Sequence, residues 1–78
     1  MNSTRPISND PIYGERLRKL TKKTLEDILR DRIKALEYAK KGIEANEPEK
    51  LTVDYLELVA DGMQVLARQI LKERSNGK

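Results

Sequence analysis

The sequence predicts an all-α protein: an antiparallel helical hairpin with a short N-terminal helical arm, dimerising into a four-helix bundle. Three observations carry this expectation. Leu56, Val59, Met63, Leu66 and Ile70 recur at spacings of three and four, the seam of a helix packed on a neighbour. Beside that seam runs a second strip, Tyr55, Leu58, Gly62 and Val65, so the same helix is apolar over more of its circumference than one neighbour covers. Finally, the sequence has 78 residues with neither cysteine nor histidine, which leaves no disulfide and no ordinary zinc site to staple it. Close helix packing and self-association are the remaining means of stabilising so small a core.

Residues 1–10 hold Asn, Ser, Thr and Pro with almost nothing apolar and read as a disordered tail. Asp10-Pro11 suits a helix start, since Asp accepts orphan N–H bonds and Pro fits the first helical position. Residues 11–23 then form a basic amphipathic arm, with Tyr13, Leu17, Leu20 and Thr24 along one side and Arg16, Lys19 and Lys23 on another. Leu17 and Leu20 are out of phase with the apolar stripe that begins at Leu25, so a bend or break is expected near residues 21–24. The arm is too short and too far out of phase to serve as a third core helix.

The hairpin is expected over residues 24–74. Thr24-Leu25-Glu26-Asp27 has the pattern of a capping box ahead of an apolar run. The first helix, 24–45, would bury Leu25, Ile28, Leu29, Ile33, Leu36, Ala39 and Ile43. Glu26 with Arg30, and Glu37 with Lys41, are spaced for helical ion pairs on its outer side. Gly42, Asn46 and Pro48 mark the stop, and residues 46–50 make a polar connector of the length that joins antiparallel helices. Thr52 caps the second helix, 52–74, with Leu51 and Leu56 placed as a hydrophobic staple. Asp61-Gly62 could mark a turn, but Val59, Met63 and Leu66 hold one register through it, so Gly62 reads as a point of close helix approach. Ser75, Asn76 and Gly77 end the helix, and 75–78 are a tail.

A lone hairpin is marginal. Each buried aliphatic side chain contributes about 1.5–3 kcal/mol, against about 1.5 kcal/mol for every residue ordered. Two hairpins paired through Tyr55, Leu58, Gly62 and Val65 cover the second strip, in a layout that resembles Rop-type dimeric bundles without sharing a motif with them.

The formal charge is +3, and the excess is confined to the first third of the chain: residues 1–24 carry six basic and two acidic side chains. No apolar run approaches the ~20 residues needed to span a bilayer, and the N-terminus lacks the apolar core of a secretory signal. The expectation is a cytoplasmic protein with no membrane contact. Acid–base or nucleophilic catalysis lacks its usual groups, since His and Cys are missing and Ser3, Ser8 and Ser75 fall in the expected tails. Glu44 with Glu47, and Asp54 with Glu57, resemble the carboxylate spacing of helical nucleotide pyrophosphohydrolases. Only six residues separate the two pairs, too few for the usual helix pair between them. No metal or cofactor is expected.

Arg32 falls inside the apolar stripe of the first helix, as a snorkelling stem or as half of a buried ion pair that fixes register. The functional expectation is a non-enzymatic adaptor or regulator acting by homodimerisation or by docking another protein through Tyr55, Leu58, Gly62 and Val65. The alternative is a nucleic-acid-binding regulator in which Arg16, Arg18, Lys19, Lys22 and Lys23 neutralise phosphates. The absence of Phe and Trp for base stacking weighs against it.

Overall fold

Four α-helices and no strand make up the computed structural model, which describes residues 11–76. They are α1 (Pro11–Arg18), α2 (Lys22–Arg30), α3 (Arg32–Asn46) and α4 (Val53–Asn76), with a 3-10 turn at Pro48–Lys50 between the last two. The expected tail at 1–10 and the end of the expected tail at 75–78 lie outside the described residues. Ser75 and Asn76 continue α4 two residues past its expected end.

Side chains explain most of the helix boundaries. α1 begins on Pro11, whose missing N–H costs nothing at the first helical position. The carbonyls at its end and just beyond are satisfied from a distance: the Arg74 guanidinium donates to Arg18 O at 2.9 Å and Leu20 O at 3.1 Å. α2 is capped by Thr21, whose hydroxyl accepts the Thr24 N–H at 3.2 Å, so the cap lies three residues ahead of the expected Thr24 box. Asn46 donates back to Gly42 O at 3.0 Å at the end of α3, and the Thr52 hydroxyl caps α4 by accepting the Tyr55 N–H at 3.1 Å.

The expected first helix, 24–45, is two helices. Asp31 adopts an extended conformation and serves both, ending α2 and capping α3 by accepting the N–H groups of Ile33 at 3.0 Å and Lys34 at 3.4 Å. Gln64 of α4 donates to Ile28 O at 3.1 Å, taking up a carbonyl that the interruption frees. Arg32 donates to Asp61 Oδ1 at 2.6 Å and to Gln64 Oε1 at 3.0 Å, and its side chain is 43% exposed. It is therefore a surface brace between the break and α4 and not a buried pair. Of the expected stripe, Leu25, Ile28, Ala39 and Ile43 are buried and Leu29 and Leu36 pack partly buried against them; Ile33 departs from it, 66% exposed, and Ala35 and Gly42 are buried in addition. Glu37 pairs with Lys34 at 4.0 Å rather than with Lys41, which lies over the Tyr38 ring.

α4 is the element the others share: α1, α2 and α3 all pack on it. Val59, Met63, Leu66 and Ile70 are buried along its seam, with Ala60 and Ala67 buried beside them. The expectation that residues 11–23 stay outside the core is overturned. Tyr13 and Leu17 are fully buried, and α1 is a core helix. Its basic residues point outward while these two side chains point in, so a short helix supplies the second neighbour that α4 required.

Candidate interaction surface

The α1–α3–α4 junction is held by one carboxylate. Glu47, at the end of α3, accepts from the Tyr55 hydroxyl at 2.6 Å and the Tyr13 hydroxyl at 2.7 Å through Oε2, while Lys50 Nζ lies 3.2 Å from Oε1. Burial pushes the Glu47 carboxyl up, but the Tyr55 and Tyr13 hydroxyls and Lys50 outweigh it together and hold the group below its ordinary range. The Tyr13 ring is pressed against Gly42, where an added Cβ would come within 2.8 Å of the ring. Glu47 sits in what reads as a polar connector, and no local pattern separates it from Glu44 or Glu49. With Glu47 engaged in this way, the carboxylate spacing around it is a structural device. Among the described residues, no three Asp or Glu side chains converge to hold a metal ion.

The four residues expected at an interface are not one surface. Tyr55 is half-buried and turned to Glu47, and Gly62 is buried. Leu58 and Val65 remain in solvent, 53% and 45% exposed, two turns apart on the side of α4 away from the other helices. At 3.6 residues per turn, Asp54, Asp61, Arg68 and Lys72 fall on the same outer strip, and all four are exposed. Asp61 is paired with Arg32. Asp54, Arg68 and Lys72 make no ion pair among the described residues. These three charges were not singled out by apolar periodicity, because they matter only once the inner face of α4 is known.

The basic residues cluster at the corner where α1 turns into α2. Arg16, Lys19 and Lys23 have no ion-pair partner among the described residues, and neither has Lys22. Arg18 differs, since it pairs with Glu73 at 2.8 Å and helps to dock α1 on α4. Both partners are more than half exposed, so this pair is a weak fastener. Arg16, Leu17, Lys19, Leu20, Tyr38 and Met63 line an open cleft of about 260 Å³ at this corner. Lys22 lies on a smaller one of about 140 Å³ with Leu71, Arg74 and Ser75.

No described helix is long and apolar enough to cross a membrane. Set against protein-family models, curated proteins and solved structures, the chain matches none.

Proposed function

We propose that this chain is a small non-enzymatic adaptor or regulator that works by contact between helices, with the outer face of α4 as its self-association surface. The observation that carries this reading is the pair Leu58 and Val65. The seam of α4 is buried by the chain's own helices, yet these two large aliphatic side chains stand in water on the longest helix. An exposed aliphatic pair on a rigid helix, rimmed by charge, has the composition of a small docking patch. In this reading each copy is a hairpin of α2–α3 against α4, with α1 laid into it. Two copies then meet through α4 instead of through the Tyr55 strip as a whole. Chemistry by the chain has little support, because its sequence has no His or Cys and Glu47 is tied to two tyrosines and a lysine.

Light scattering across a concentration series tests the proposal. The mass is expected to rise from 9.0 kDa toward twice that value, and Leu58→Glu or Val65→Glu should hold it at 9.0 kDa with helix content unchanged. Leu66→Glu serves as the contrast, since Leu66 is 4% exposed and a carboxylate there should unfold the subunit. A mass that stays monomeric at millimolar concentration sinks the self-association reading.

One observation favours a second reading, nucleic-acid binding: four cations without an ion pair among the described residues crowd the α1–α2 corner beside a cleft. Phosphate binding must weaken steeply as salt rises. A gel-shift series comparing the chain with a Lys19→Gln, Lys22→Gln, Lys23→Gln variant tests it, and absence of any shift at low salt rules it out. Deleting residues 1–23 is unsuitable, because that removes the buried Tyr13 and Leu17.

A further inference from the structure

The outer strip of α4 is self-complementary under a two-fold axis. Along the helix it reads Asp54, Leu58, Asp61, Val65, Arg68 and Lys72: acid in the N-terminal half, two aliphatic residues around the centre, base in the C-terminal half. We infer that two copies pair through α4 in antiparallel orientation, with the axis passing between Asp61 and Gly62 so that Leu58 of each copy meets Val65 of the other. The inference rests on the self-association reading above and adds the orientation and register.

The register follows from helix geometry. With a rise of about 1.5 Å per residue, the midpoint of Leu58 and Val65 lies about 11 Å from Asp54 on one side. On the other side it lies about 10 Å from Arg68 and about 16 Å from Lys72. Reversing one copy about that midpoint lays Asp54 between the partner copy's equivalents of these two cations. Such an axis keeps each flank of the strip on its own side, so Asp54, Arg68 and Lys72, which share a flank, face one another. All three are exposed and without an ion pair among the described residues. Parallel pairing would instead set like charges side by side at both ends of the contact.

Asp61 is the one like-charge encounter, since the two copies bring it close to itself at the axis. Arg32, 2.6 Å away within the same chain, answers that charge in each copy. The charges are exposed rim groups, so they choose orientation more than they add affinity. Two aliphatic residues per copy make a contact that is weak and dependent on concentration.

The natural absence of cysteine allows a direct test with the full chain. Asp54→Cys and Gln69→Cys variants are prepared separately and then mixed in a glutathione redox buffer. In the inferred register residue 54 lies opposite residue 69 of the second copy, while each residue is about 22 Å from its own equivalent. The expected result is a disulfide-linked species at twice 9.0 kDa in the mixture and little in either variant alone. Adding Val65→Glu to both variants should reduce its yield several-fold, as should ~1 M salt, where screening acts within about 3 Å. Linkage within each single variant would overturn the antiparallel register while leaving self-association standing. A dimeric mass with no linkage in any sample would place the contact elsewhere and overturn it too. A monomeric mass throughout would remove both proposals.

Discussion

Replacing Gly42 by alanine sets two opposed effects against each other at one buried position. Gly42 lies inside α3, in ordinary helical conformation, so alanine should favour the helix by about 1 kcal/mol. The added Cβ, however, would lie 2.8 Å from Tyr13 Cε1, 3.3 Å from Cδ1 and 3.4 Å from Met63 Cε. The Tyr13 ring cannot swing aside freely, because it is fully buried and its hydroxyl donates to Glu47 at 2.7 Å. Overpacking of this kind costs about 1–3 kcal/mol, and loosening the tyrosine–carboxylate bond costs about 1 kcal/mol more. The second effect wins, and Gly42→Ala should destabilise by roughly 1–3 kcal/mol. Gly14 is the control: an added Cβ there meets nothing within 4 Å, so Gly14→Ala should stabilise by about 0.5–1 kcal/mol. Urea denaturation with unchanged slope measures both, and the midpoints should fall on opposite sides of the parent. If Gly42→Ala stabilises as much as Gly14→Ala, Tyr13 is not seated against α3, and α1 is not a core helix.

Two further outcomes probe the junctions that hold the helices together. The Glu47 carboxyl sits below its ordinary value of 4.5 in the folded chain, so its contribution to stability is present at neutral pH and lost as pH falls through the folded value. Glu47→Gln should therefore lower stability at pH 7 and flatten the loss on acidification, measured by urea titrations at both ends of the range. An unchanged acid slope would show that Glu47 is not the group responsible. Gln64→Ala should cost about 1–3 kcal/mol by orphaning Ile28 O and leaving Arg32 with Asp61 alone, and should also speed amide exchange near Asp31. A loss spread evenly over α4 instead would argue against the brace.

Apolar periodicity was sufficient to identify α4, its seam and its excess of apolar surface, since spacings of three and four depend only on the helix period. It also marked the connector, the Thr52 cap and a change of phase ahead of α2. The same reasoning failed at Asp31, where Ile33, Leu36 and Ala39 continue a plausible stripe across a real break. Aspartate inside an apolar run is a capping signal as much as a helical one, and local pattern cannot weigh the two. The choice is made by α4, which offers Gln64 and Asp61 to the interrupted backbone and to Arg32.

The surface was legible only in part. Leu58 and Val65 belong to the strip that sequence marks as excess, but their exposure, and the loss of Tyr55 to Glu47, depend on which face of α4 the other helices cover. The basic corner was visible as composition, although Arg18 turns out to be engaged with Glu73. By itself the sequence determined an all-helical chain, a long central helix, and the need of that helix for more than one neighbour. Tertiary structure decided who the neighbours are. Among its described side chains α1 carries two large buried ones, Tyr13 and Leu17, too weak a stripe to announce a core helix. What seats it is a set of contacts between residues 34 and 56 positions apart, Tyr13 with Glu47 and Arg74 with Arg18, and no periodic pattern encodes pairings at that range.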